Sequence, residues 1–323
     1  GREASFIVRK GRTGMIRYTG KRFLISLLSV WMLITVAFFL TRQMPGSPFQ
    51  TGNVSGEVLE QMEQEYGFDQ PVSAQYVTYM RNLLHGDLGI SYMNPGESVT
   101  EVIARALPTT LSLGILAVIV SLVAGTLLGM LQAFSQKRWV RTTILFGTIF
   151  GAGIPNFVIA LLLALVFGVQ WKLLPVVGLD SWTSYLLPVL SLAAYPTAVV
   201  TRLMCHACRQ ELQKEYVVLV KVKGLSMRRI AWTHVWKNAW IPVLNYAGPA
   251  AAFLLTGSFV VESIFTIPGL GREFVNSIAN RDYTLIMGLT IFMGVVVIGV
   301  NLAVDLLCAW MDPRIRKSYL KDV

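Results

Sequence analysis

The sequence predicts an all-α integral membrane protein with six transmembrane helices and a small helical cap on its outer side. Three observations lead there. The 323 residues are 54% hydrophobic and only 14% charged, well below the ~25% charged residues of a soluble domain. Six uncharged stretches are each long enough to cross a bilayer, which takes about 20 residues of helix. The stretches are continuous, and lipid offers no partner to the backbone of an open sheet, so the crossing elements are helices.

Residues 1–14, GREASFIVRKGRTG, are basic and precede Met15; they read as a tag or an N-terminal extension outside the fold. The first uncharged run, 19 residues between Arg22 and Arg42, lacks a small-residue cleavage site and reads as a retained helix. Residues 15–41 thus form the N-terminal region and first span. Residues 42–106 are polar and acidic, with eight carboxylates from Glu57 to Glu101. Within them SGEVLEQMEQEYGF offers Ser55 as an N-cap, and PVSAQYVTYMRNLLHG reads as a second helix ended by Gly86. Apolar periodicity favours a folded cap here over a disordered loop. Residues 107–323 hold the other five spans. Their runs lie between Arg105 and Lys137, Arg141 and Lys172, Asp180 and Arg202, Lys237 and Glu262, and Asp282 and Asp305. A large loop occupies 203–237.

Orientation follows from the lysines and arginines. Seven precede the first run, three lie at 137–141, eight from Arg202 to Lys237 and four in the tail, against six on the opposite side. Both termini and the 203–237 loop are therefore expected in the cytoplasm. The same distribution accounts for the net charge of +10. No recognition motif accompanies that charge, so nucleic acid is not an expected partner.

Catalytic patterns are missing. There is no Walker A, HExxH, GxSxG or GxGxxG sequence, and His85, His206 and His234 are scattered. The CHAC pattern at Cys205 and Cys208 has no second ligand pair and no βα setting, so neither zinc nor redox chemistry is expected. Ionisable residues are nearly absent from the spans, which argues against a proton relay. Asp305 falls near the inner interface. Glu262 falls at the outer end of the fifth span, where pairing or hydration is expected.

Breaker residues do occur within the spans. FGTIFGAGIPNF, with Gly151, Pro155 and Asn156, should kink the third span at its proline. NYAGPAAAFLLTGS, with Asn245, Gly248, Pro249, Gly257 and Ser258, should do the same in the fifth. Irregular backbone at this depth lines a cavity or packs closely against protein. These residues and Glu262 are the pathway candidates. TIPGLGREF, with Pro268, Gly269 and Gly271, is a candidate gate near the exterior.

Five stretches together resemble the permease subunits of bacterial oligopeptide/dipeptide ABC importers. They are MPGSPF at 44–49, HGDLGIS at 85–91, EYVVLVKVKGLSMRRIAWTHVWKNAWIPV from Glu215, GSFVVESIFTIPGLGREFVNSIANRDY, and NLAVDLLCAWMDPRIR. The resemblance covers nearly all of Met15 to Lys317. GSPF and NYAGPA look more like the first oligopeptide permease subunit than the dipeptide one.

The resemblance implies a type I ABC importer permease fold in the bacterial cytoplasmic membrane. It implies a second, similar permease, two ATPase subunits that bring ATP and magnesium, and an extracytoplasmic binding protein that delivers peptide. This chain would carry no cofactor and no catalytic site. The 203–237 loop looks like the family's coupling segment, with a short helix from Glu215 through Tyr216 and Lys221 to Lys223, then Gly224 and Leu225. Arg228 and Arg229 would add electrostatic contacts. Where the family has an Arg/Ala-rich run, this chain has VVLVKVKG, which locally favours a strand as much as a helix. Within the group, dipeptide, nickel, haem or glycoside cargo is the alternative. A stand-alone secondary transporter, a membrane enzyme and a scaffold are the readings outside it.

Overall fold

The computed structural model describes residues 2–44, 67–93, 96–255 and 259–311. Ser55, the helix expected after it, Gly257 and Ser258 lie outside the described residues. In chain order the helices are α1 (Arg2–Arg42), α2 (Val72–Leu84), α3 (Val99–Phe134), α4 (Arg138–Gly153) and α5 (Asn156–Leu163), which runs on as a π-turn over Ala164–Gln170. A 3-10 turn at Trp182–Tyr185 leads into α6 (Leu186–Leu212), followed by α7 (Glu215–Val222) and α8 (Met227–Ile230). A π-turn at Ala231–Val235 joins α8 to α9 (Trp236–Ala239). The chain closes with α10 (Ile241–Leu255), α11 (Phe259–Ile264), α12 (Leu270–Ala279) and α13 (Tyr283–Met311). Among the described residues only an isolated bridge, Ile90 to Ser98, departs from helix and loop.

Four helices are long and apolar enough to cross a membrane: Thr19–Arg42, Val99–Phe134, Trp182–Leu212 and Tyr283–Val304. A fifth crossing exists if α4 and the segment Asn156–Gln170 count as one bent span. The fifth expected run, between Lys237 and Glu262, contains Ile241–Leu255, a shorter apolar helix. The expected kink at Pro155 is a break of 107°. Proline disfavours the helical region for the residue before it, and Ile154 is extended (φ −96°, ψ 127°). Gly153 and Pro155 therefore end one helix and start another. Pro249 behaves differently: α10 continues through it.

The chain divides into two units, Gly1–Pro108 with Gly269–Val323, and Thr109–Pro268. In the first unit, Ile34 and Phe38 of α1 pack on Met287 and Ile291 of α13, with Tyr76, Tyr79 and Met80 of α2 closing the cluster. Val99, Val102, Ile103 and Ala106 of α3 meet Leu270, Leu285 and Leu289. α3 starts eight residues before the expected 107 because Ser98 and Glu101 form a capping box. The Ser98 N–H donates to Glu101 Oε2 at 2.9 Å, and the Glu101 N–H donates to Ser98 Oγ at 3.2 Å. Asp282, 1% exposed, precedes α13 and accepts from the Leu285 N–H at 3.1 Å. It also accepts from Ser91 Oγ and from the Tyr92 N–H at 3.3 Å, tying that loop to the helix end.

In the second unit α6 is the common packing surface: α4, α5, α9, α10 and α11 all lie against it. α3 approaches it most closely at Gly125 and Gly129. A Cβ on Gly125 would sit 2.6 Å from Val200 Cβ, and one on Gly129 2.6 Å from Met204 Cβ. Helices in lipid gain nothing from hiding apolar surface against one another, so such close approach is the source of their attraction. Ser191 and Thr201 of α6 are fully buried, and each hydroxyl donates to a carbonyl of its own helix at 2.7 Å.

Gly129→Leu should destabilise the protein by about 2 kcal/mol through overpacking. Thermal unfolding in detergent checks this, with Gly147→Leu as control. At Gly147 a Cβ meets nothing within 4 Å, and no change is expected there.

Candidate functional site

The Val-rich run after Glu215 is helical, as α7. Val217 is fully buried among Met204 and Cys208 of α6 and Ile230, Ala231 and Val235 behind it. That burial selects the helix over the strand that local propensity allows equally. Glu215 sits in the first turn, where a carboxylate suits the positive helix end. Gly224 terminates the helix with φ +81°. Its N–H donates to the Lys221 carbonyl at 2.9 Å, and the Leu225 N–H reaches the Val220 carbonyl at 3.4 Å. A Cβ there would meet nothing within 4 Å, so the left-handed backbone alone requires glycine. Ser226 then caps α8, its Oγ accepting from the Arg229 N–H at 3.4 Å.

This arrangement sorts the coupling candidates. Glu215, Lys221, Lys223, Gly224, Arg228 and Arg229 are exposed. Tyr216 and Leu225 turn inward onto the apolar cluster. The exposed face of α7 also carries residues that the charge pattern hid: Val218, Leu219 and Val222 are 51%, 64% and 81% exposed. Their signal was the helical spacing of apolar positions on the side opposite Val217.

Behind α7 lies a polar knot. Glu211, 8% exposed at the end of α6, accepts from Lys214 Nζ, from Tyr216 Oη at 2.5 Å and from Asn238 Nδ2 at 3.4 Å. Asn238 also donates to Tyr216 Oη at 3.1 Å. Hydrogen bonding to Glu211 holds the Lys214 ammonium above its ordinary pKa. Burial, then the bond to Glu211, pushes the Tyr216 phenol up, so it stays a neutral donor. Neither Glu211 nor Asn238 was singled out in the sequence.

The described pathway candidates have different surroundings. Gly151 packs on α6: a Cβ there would lie 3.1 Å from the Ala194 carbonyl oxygen and 3.3 Å from Ala198 Cβ. Pro155 is exposed and Asn156 half-buried at the break. On α10, Asn245 and Pro249 are exposed and Gly248 is buried. Glu262, where pairing or hydration was expected, is 1% exposed and accepts from Thr110 Oγ1 at 3.1 Å. Pro268 is exposed. Gly269 and Gly271 are buried where α12 begins, and the Gly269 carbonyl accepts the Glu273 N–H at 3.1 Å. A cavity of about 490 Å3 lies in the first unit, lined by Phe38, Arg42, Tyr79, Asp87 and Tyr92 among others, and none of the described candidates lines it. Arg42 stacks 4.2 Å from the Phe68 ring centre. Cys205 and Cys208 are free and buried on α6. Among the described residues no group of three His, Cys, Asp or Glu side chains could hold a metal.

Comparison with known proteins gives the family. Residues 125–317 match the family described as "binding-protein-dependent transport system inner membrane component", and residues 15–114 match its N-terminal companion. The oligopeptide transport system permease protein of Haemophilus influenzae is 39% identical over 306 residues, covering 94% of this chain and 100% of that protein. The dipeptide transport system permease protein of Bacillus subtilis is 36% identical over 303 residues, 94% of this chain and 98% of that protein. The corresponding dipeptide permease of Lactococcus lactis is 35% identical over 302 residues, 94% and 100%. The chain belongs to the family of inner-membrane components of binding-protein-dependent transport systems.

Proposed function

We propose that this chain is a permease subunit of an ATP-driven peptide importer in a bacterial cytoplasmic membrane. It forms half of the translocation path, and a second, similar permease forms the other half. An extracytoplasmic binding protein delivers peptide, oligopeptide being the expected class. Two ATPase subunits carry the ATP and magnesium; this chain supplies a cavity and a mechanical linkage. In this reading the six runs are six crossings, with the bent pair α4–α5 and the α10–α11 pair each counted as one. The outer segment 42–106 caps the outer face, 107–323 is the transport core, and both termini are cytoplasmic.

The observation that carries the reading is the two-sided α7. One face is fixed into the protein by Val217. The other presents Val218, Leu219 and Val222 to solvent, and the exposed Lys221, Lys223, Arg228 and Arg229 lie close by in sequence. Fully burying an aliphatic side chain contributes about 1.5–3 kcal/mol, whereas an exposed ion pair contributes about 0–1 kcal/mol. The apolar face therefore supplies the affinity for an ATPase groove, and the cations orient the encounter. Closure of the ATPases would move α7 and rock the spans as rigid bodies.

Gentle purification from the native membrane tests the reading. It expects a second permease and stoichiometric ATPases; a lone chain that transports peptide in liposomes without ATP contradicts it.

Gly224→Pro forbids the left-handed turn and should leave insertion intact while abolishing peptide-stimulated ATP hydrolysis. Unchanged stimulation in that variant removes the coupling role. Asn156→Cys at the break should react with a water-soluble thiol reagent in at least one transport state if the break lines the path. Protection in every state assigns it to packing.

A further inference from the structure

Glu211 joins three elements that the transport cycle must move together. It sits on the last turn of α6, the helix on which the second unit is packed. Tyr216, on the first turn of α7, donates to it, and Asn238 on α9 donates to both. α9 leads within two residues into α10. A single carboxylate therefore ties the start of α7 to the cytoplasmic-loop ends of two apolar helices. The rest of the junction is apolar and packs through Val217, Ile230, Ala239 and Val243. Such contacts slide, whereas a charge-assisted hydrogen bond has fixed direction.

We propose that Glu211, held by Tyr216 and Asn238, is the positioning residue that transmits displacement of α7 to α6 and α10. The inference rests on the reading of α7 as the ATPase contact. When α7 is pushed, Tyr216 Oη and Glu211 Oε2 cannot separate without leaving a nearly buried carboxylate short of a donor. That penalty makes α7, α6 and α9 move as one body. Lys214 plays no part in the transmission: its side chain is 55% exposed, and solvent replaces its contact readily. Joint movement of the three elements also explains why the carboxylate belongs at this depth. In open solvent the same bonds would exchange with water.

The test uses the whole importer, reconstituted in liposomes with its binding protein, and compares wild type, Tyr216→Phe, Glu211→Gln, the double variant and Lys214→Ala. The readouts are ATPase subunits retained, ATP hydrolysed and peptide imported. Tyr216→Phe and Glu211→Gln should retain the ATPases and hydrolyse ATP, while peptide imported per ATP falls about tenfold, the loss of one charge-assisted bond. The double variant should be no worse than the poorer single one, since both remove the same link. Lys214→Ala should match wild type. An unchanged peptide-to-ATP ratio in Tyr216→Phe and Glu211→Gln overturns the proposal. So does a parallel loss of import and bound ATPase, which reduces Glu211 to a fold anchor. If the wild-type chain itself retains no ATPase, the reading of α7 has failed, a result distinct from both.

Discussion

Close approach of helix backbones along α6 is the constraint on which the second unit depends. Apolar side chains are as content in lipid as against each other, so contact area alone does not hold spans together. Gly125 and Gly129 let α3 come within touching distance of Val200 and Met204, and Gly151 does the same for α4 at Ala194. Once α6 is fixed in this way, its far end presents Cys208 and Glu211 to the loop beyond it. Cys208 lies in the apolar cluster that buries Val217, and Glu211 accepts the hydrogen bond from Tyr216. α7 thus has a defined orientation, and with it a defined exposed face.

That face is the one the proposed function uses. A helix of eight residues is too short to be stable alone. It persists because one side is packed and its end is closed by Gly224. The opposite side carries three exposed aliphatic residues within the basic 203–237 loop, which suits a groove in a partner better than it suits water. The family assignment gives this geometry its context: the matching family is an inner-membrane component of transport systems, and the sequence holds no Walker A pattern.

Much of the fold was legible in the sequence because lipid imposes simple rules. Charge spacing marked the long apolar helices, and Gly86 and Gly224 sit in left-handed turns where the sequence placed helix ends. Other features were legible and went unread. SVTE at 98–101 is a capping box that starts α3 early, and the 3.6-residue spacing of Val218, Leu219 and Val222 marks the exposed face that the neighbouring cations obscured. The remainder has no local signal. Pro155 breaks its helix by 107° while Pro249 leaves its helix continuous, though each has a glycine one or two residues before it. Glu262 accepts a hydrogen bond from Thr110, 152 residues away, and Asp282 from Ser91, 191 residues away. Partners so distant are set by tertiary packing, which no window of sequence contains.

The most direct measurement places a photo-crosslinking amino acid at Leu219 in the native membrane and identifies the adduct by mass spectrometry. The account predicts a covalent product with an ATPase subunit that carries a nucleotide-binding sequence. Its yield should change when ATP hydrolysis is blocked. Adducts with lipid alone, at a position that is 64% exposed in the isolated chain, would contradict the central claim that α7 is the contact through which ATP drives transport.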